Sequence, residues 1–324
     1  MLPHPRPWFD AWVAAAYGSD GFWSRERPAD HFRTGAGTGT VVAEAVAALL
    51  AAAPAVRTVV DVGAGDGALL TGLHRLRPDL ALLGVDRRPR PTGLSASIGW
   101  RPDHWDVRTD RWRHGPDAWL RPDVPVLLVA AEWLDDLPAP VVQAAGTGWR
   151  ELEVAPDGTE RAGRPLTGPT AAWAERWWPT GRRAELGLTR DRAWAGLVAA
   201  ALARGGLALA IDYGHRRDAR PSGGTLTAYA DGRLRPLRPD PALNLTAHVA
   251  VDALAAAGEE CGARTVRLQR QRAVLDELVR ADPCPADPLQ DLQRRSEQAA
   301  LRAPRVWGDL WWLLQGPPVA SSVG

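Results

Sequence analysis

Thr58-Val59-Val60-Asp61-Val62 runs directly into Gly63-Ala64-Gly65-Asp66-Gly67, and this junction constrains the fold more than any other stretch. A short β-branched run without polar alternation is the pattern of a strand buried on both faces, as in a parallel sheet. Three glycines at alternate positions let the backbone turn tightly and approach a ligand without a Cβ in the way. Ala68 to Leu76 then reads as a helix stopped by Pro78. Leu80 to Asp86 repeats the strand pattern, as do Val124 to Ala131 and Leu207 to Tyr213, the last behind a helix and the Gly205-Gly206 turn. Buried strands alternating with helices predict an α/β fold, its parallel sheet covered on both faces.

Composition narrows the function classes. The 39 basic and 38 acidic side chains leave a net charge of +1, which argues against a nucleic-acid coat or a polybasic membrane binder. All the basic residues counted are arginine, and with abundant alanine this reads as high-GC codon bias, so arginine density alone carries no functional weight. With 45% apolar and 24% charged residues, the chain suits a soluble protein with one large or two smaller domains. Cys261 and Cys284 lack a ligand partner at metal spacing, so no metal site is expected. The first ten residues lack the pattern of a secretory signal, and the best apolar run, Ala195 to Ile211, is interrupted by Arg204, Gly205 and Gly206. A cytoplasmic protein without membrane insertion is the expectation.

Four regions follow from the pattern: an N-terminal helical cap over residues 1–55, a first core segment over 56–147, a polar insert over 148–192, and the rest of the core with C-terminal elements over 193–324. The third strand of the sheet is poorly defined around Ile98 to Trp100. The tail holds a strand-like start at Arg264, two helices around a Pro-rich break at Asp282 to Pro288, and a Trp-rich end. Among 16 tryptophans, Trp173, Trp177 and Trp178, and again Trp307, Trp311 and Trp312, fall at helical spacing. Core or interhelical packing accounts for them, with an aromatic wall for a cation or flat molecule as the sharper alternative.

The glycine turn, followed by Asp86 at the end of the next strand, 19 positions after Gly67, is a nucleotide-binding arrangement. The free N–H groups of the helix start face a polar ligand, and the carboxylate accepts ribose hydroxyl protons. Arg87 and Arg88 suggest an NADP phosphate instead, but Asp86 would repel it. The spacing, D-x-G-x-G-x-G, resembles the first motif of class I methyltransferases that use S-adenosylmethionine, with Asp61, Gly63, Ala64, Gly65, Gly67 and Asp86 at the corresponding positions. Asp106, after Trp105, is the candidate for the adenine-contacting turn.

Ala131-Glu132-Trp133-Leu134-Asp135-Asp136-Leu137-Pro138 resembles the N-E-F-L-D-A-L-P segment of the MidA family, which includes a mitochondrial complex I assembly methyltransferase. Gly148 to Glu151, Ala210 to His215, Gly224 to Tyr229 and Leu245 to Val249 agree with that family in the same order. The resemblance implies a Rossmann-like, seven-stranded, mostly parallel sheet with helical N-terminal and inserted additions. It also implies S-adenosylmethionine as cofactor and a protein arginine as acceptor. The family's early D-F-x-T-x-P-E-x-S segment, which closes over the cofactor in relatives, survives only as His31 to Gly37, with Thr34 as the matching cofactor contact; the family's Asn before Glu132 is Ala131.

Methyl transfer aligns a nucleophile with a sulfonium methyl group and excludes water. For a guanidinium acceptor, carboxylates must hold the charge and orient one nitrogen. Glu132, which also borders the cofactor, and Asp135 and Asp136 sit at a strand's C-terminal end, where that is possible; Asp212 and Tyr213 follow the next strand. Tyr213 is placed to wall the acceptor, and His215 or His248 to take a proton. A helix start or turn is the plain alternative for the aspartates, an ordinary strand exit for Asp212 and Tyr213, and a buried hydrogen bond for His248. Competing functions are a small-molecule methyltransferase, a non-catalytic assembly factor keeping the fold, and a nicotinamide oxidoreductase. A nucleic-acid amino-methyltransferase is disfavoured because Ala131 to Pro138 lacks an Asn/Asp-Pro-Pro-aromatic motif.

Overall fold

The computed structural model describes residues 4–25, 35, 37, 39–146, 148–279 and 288–318. Seven strands form the central sheet: β1 (Thr58–Val62), β2 (Ala81–Asp86), β3 (Ile98–Pro102), β4 (Val126–Ala131), β5 (Leu207–Asp212), β6 (Arg264–Arg270) and β7 (Trp311–Gly316). Their order is β3-β2-β1-β4-β5-β7-β6. Strands β1 to β5 pair in parallel, and β7 runs antiparallel to both β5 and β6. This is the seven-stranded, mostly parallel sheet expected.

The helices are α1 (Trp8–Tyr17), α2 (Val41–Ala51), α3 (Ala68–Leu76), α4 (Gly168–Trp177), α5 (Leu188–Leu202), α6 (Val251–Glu260), α7 (Gln271–Leu278) and α8 (Pro288–Arg302). Strand side chains alternate between the two faces, so each uniformly apolar strand feeds two cores. Val59, Leu127, Val129, Leu209 and Ile211 pack under α2, α3 and α7; Val60, Leu128, Ala130, Ala208 and Ala210 pack against α5 and α6. Among the described residues no helix is long and apolar enough to cross a membrane.

The Trp-rich end departs from the helical spacing. Trp311 and Trp312 begin strand β7, which sends them to opposite faces: Trp312 donates its indole N–H to Gln271 at 3.0 Å, and Trp311 donates to the Gly214 carbonyl at 3.0 Å on the other side. Trp173 and Trp178 do pack as core, beside Val142, Ala184 and Ala253. A second, antiparallel sheet carries the polar middle of the chain, from Val141–Ala145 through Gly148–Val154 and Glu160–Pro165 to Arg183–Glu185, and Arg6–Pro7 joins its edge. The break at 282–287, including Cys284, and Thr34 lie outside the described residues.

Candidate active site

The carboxyl ends of β1, β2, β4 and β5 open on one cavity of about 1010 Å³. Gly63, Gly65 and Gly67 all have positive φ, at +72°, +59° and +75°. A Cβ at Gly63 would lie 2.4 Å from the Trp133 ring, so only glycine lets the turn pass beneath that indole. A Cβ at Gly65 would meet nothing closer than 3.9 Å, leaving space above the turn where a ligand can approach the backbone. Asp86 anchors this turn: its Oδ2 accepts the Gly65 N–H at 2.9 Å, and its Oδ1 accepts the Arg88 N–H at 2.9 Å. Oδ1 also accepts from Arg88 Nε at 3.2 Å, which leaves a lone pair on Oδ2 for a further donor.

Gly63, Gly65 and Asp86 line the cavity, whereas Asp61, Ala64 and Gly67 shape the turn from behind. Asp61 is buried, and burial together with the nearby Asp86 charge pushes its carboxyl up to about 8. The turn after β3 presents Asp103 and His104 to the cavity, while Asp106 sits in an adjoining shallow pocket and caps the Arg108 N–H at 2.9 Å. Asp103 is committed to the fold, accepting from the backbones of His104, His114 and Gly115 and from the Trp119 indole. Trp105, Trp112 and Trp133 complete this wall, with Trp112 and Trp133 stacked at 5.5 Å between centroids. Trp133 stands where the resembling motif has Phe, the one signal in the sequence for this wall.

The other half of the cavity holds the acids. Glu132 leaves β4 with φ +50°, a conformation non-glycine residues seldom adopt, fixed by its N–H bonding the Ile211 carbonyl of β5 at 2.7 Å. Its Oε1 accepts the Gly35 N–H at 2.7 Å. Burial and the Asp135 charge push its pKa up to about 8. Asp135 Oδ2 accepts from Thr246 Oγ1 at 2.8 Å, while its Oδ1 is buried without a partner. Asp136 Oδ1 accepts from Asn244 at 3.2 Å. Burial raises the pKa of both aspartates.

Asp212 stands one layer behind this lining, its Oδ2 accepting the N–H groups of Leu134 at 2.9 Å and Asp135 at 3.3 Å. It therefore orients the Asp135 loop without facing the cavity. Tyr213 lines the cavity and stacks on His248 at 5.7 Å. His215 corrects an expectation: its ring packs edge-on to Trp178 at 4.7 Å, with Nδ1 2.8 Å from Arg220. Burial and that guanidinium pull its pKa down to about 2, so it is a neutral packing group away from the cavity.

Sequence reasoning missed Arg190. Fully buried on α5, it donates to the carbonyls of Leu137 (2.9 Å), Asp135 (2.9 Å), Ala247 (2.8 Å) and His248 (3.2 Å), tying together the two loops that carry the acids and the Tyr213–His248 wall. Nothing in the polar, arginine-rich segment around it marks this one residue.

Residues 87–269 match a family described as "putative S-adenosyl-L-methionine-dependent methyltransferase". The chain belongs to this methyltransferase family. No curated protein matches the methyltransferase. In fold it is similar to a superfamily member from Burkholderia thailandensis bound to S-adenosyl-homocysteine, with a TM-score of 0.76 and 21% identity over 96% of this chain and 88% of that one. A native structure of an uncharacterized superfamily protein from the same organism gives a TM-score of 0.72 and 22% identity over 96% and 87%.

S-adenosylmethionine is thus the methyltransferase's cofactor, and the residues present fit it: a glycine turn open above Gly65, and a carboxylate at Asp86 whose Oδ2 keeps a lone pair. Asp86→Ala is expected to weaken binding of S-adenosyl-homocysteine by about tenfold or more, as for losing hydrogen bonds to a charged group. Calorimetric titration of the folded variant checks this, and unchanged affinity removes Asp86 from the site.

Proposed function

We propose that this protein is a methyltransferase of the MidA kind, acting in the cytoplasm on the guanidinium of a protein arginine. The observation that carries the reading is the one-sidedness of the acceptor half. Glu132, Asp135 and Asp136, three carboxyl groups within five residues of one loop, line it together. A guanidinium brings five N–H donors and a positive charge, whereas a hydroxyl acceptor brings one donor and no charge.

When bound, S-adenosylmethionine supplies a methyl group on a positively charged sulfur. The chain's residues do the rest. Asp135, held by Thr246 and by Asp212 through the backbone, orients the guanidinium; Tyr213 and His248 limit its rotation and exclude water. The attacking nitrogen must lose a proton, and Glu132, poised near 8, is matched to accept it close to neutral pH. That loss restores a lone pair to the nitrogen, which would take the methyl group from the bound cofactor, the S–CH₃ electron pair going to the sulfur.

The test supplies the protein and tritiated S-adenosylmethionine to a lysate of cells lacking the gene, then hydrolyses the fractions. Label in methylarginine is expected, and Asp135→Asn should lower its rate about 100-fold while S-adenosyl-homocysteine still binds. Label confined to small molecules sinks the protein-arginine reading.

A further inference from the structure

The far rim of the cavity is positively charged. Arg270 ends β6 with its guanidinium carbon over the Trp311 ring, 4.1 Å from the centroid, and its Nη1 donates to the Asp309 main-chain carbonyl. The nearest acid is already engaged: Asp309 Oδ1 pairs with Arg272, and its Oδ2 accepts the Arg305 N–H at 3.0 Å. Among the described residues Arg270 therefore has no carboxylate partner, and its Nε and Nη2 edge bonds to nothing. Arg305, held at φ +64°, adds a second guanidinium to the same lining, also without a side-chain partner among the described residues. Arg270 is close enough to the Tyr213–His248 wall for its charge to disfavour the imidazolium of His248.

A guanidinium held over an aromatic ring with an open edge is pre-organised for bidentate recognition of a carboxylate. Partial burial strengthens such a pair relative to an exposed one. The cavity thus carries Glu132, Asp135 and Asp136 in one part of its lining and Arg270 and Arg305 in another, with Arg270 close to the Tyr213–His248 wall. Asp86 and the glycine turn lie at the other end, where the cofactor's ribose is assigned.

We infer that Arg270, with Arg305, forms an anion subsite that holds a carboxylate of the acceptor, so that the preferred substrate is an arginine flanked by aspartate or glutamate. This rests on the arginine-acceptor reading above. It makes the enzyme select acidic segments, and a neighbouring lysine or arginine is repelled at the rim.

The experiment uses the full chain and a peptide series with one central arginine, flanked by alanine or with glutamate at successive positions on either side. Transfer from tritiated S-adenosylmethionine is measured alongside anisotropy of the fluorescein-labelled peptides on protein saturated with S-adenosyl-homocysteine. The best glutamate peptide should exceed the alanine peptide about tenfold in both kcat/KM and affinity. Arg270→Gln should reduce the glutamate peptide to the alanine level, leave the alanine peptide and S-adenosyl-homocysteine binding unchanged, and Arg270→Lys should restore part of the preference.

Equal treatment of both peptides by the wild-type protein overturns the inference, as does a preference that survives Arg270→Gln. Loss of S-adenosyl-homocysteine affinity in that variant also overturns it, because Arg270 would then hold the cofactor's own carboxylate. If no peptide is methylated but glutamate-dependent binding through Arg270 persists, the subsite stands and the arginine-acceptor reading fails.

Discussion

Arg190→Ala is expected to cost about 3 to 5 kcal/mol of folding stability, the range for stripping the partner from a buried charged cluster. The Arg190 side chain is buried, donates to four main-chain carbonyls and lies 5.7 Å from the Trp12 ring centre. Three of those carbonyls, of Leu137, Asp135 and Ala247, are met in fully buried surroundings, where an unmet acceptor bears its full desolvation cost. The lost charge matters as well, since Arg190 offsets Asp135, Asp136 and Asp212 from behind. Lysine offers three donors from a single point and cannot reproduce the fork, so Arg190→Lys should recover only part of the loss. Urea unfolding of the ligand-free protein measures the effect. A loss below about 1 kcal/mol would mean that water replaces the guanidinium and that the two loops do not depend on it.

The second large effect is in pH dependence. Glu132 sits at about 8 in the folded chain against an ordinary 4.5, and Asp61 at about 8 against 3.8. Both are raised, so the folded state binds these protons more tightly than the unfolded one. Their contribution is fully present below about 4 and is lost as pH rises through about 8. Ligand-free protein should therefore melt at progressively lower temperature from pH 5 to pH 8.5, with a shallower decline in Glu132→Gln.

S-adenosylmethionine and its product should then bind with different proton balances. The groups bearing on Glu132 are Asp135, which opposes its ionisation, and the Gly35 N–H, which favours it. A sulfonium charge beside the carboxylate favours the ionised form, while the neutral thioether of S-adenosyl-homocysteine does not. At pH 7, binding of S-adenosylmethionine should release close to one proton, and binding of the product close to none. Calorimetry in two buffers of different ionisation enthalpy reads the difference directly, and Glu132→Gln should abolish it. Equal release for both ligands would place the sulfonium away from Glu132.

The parts of this fold that are legible in the sequence are those buried on both sides. β1, β2, β4 and β5 are uniformly apolar because helices cover each face, and the Gly63–Gly67 turn has to be glycine for geometric reasons. β3 is an edge strand, so only Ile98 and Trp100 of its five residues are buried and its pattern is short. β7 is apolar but opens on Trp311 and Trp312, and adjacent tryptophans four and five places beyond Trp307 fit a helix as well as a strand. Among the cavity's lining residues, Glu132 and Tyr213 directly follow recognisable strands and Asp135 lies three residues beyond Glu132, so their place at this edge of the sheet is legible. Asp212 closes β5 at the same edge yet points behind the lining, a distinction of side-chain direction that spacing does not contain. Arg190 acts through backbone carbonyls, which have no signature in residue identity.

The antiparallel strand β7 also sets an order of assembly. β5 and β6 are not paired to each other; the second edge of β5 and the paired edge of β6 meet only residues 311–316, some 40 positions beyond the end of β6. A ribosome-bound chain that has already made the glycine turn, the acid loop and Asp212 still exposes one whole edge of β5. The same late segment brings Trp311, the platform under Arg270. The cofactor end of the cavity can thus be in place on the nascent chain while the acceptor end still waits for β7.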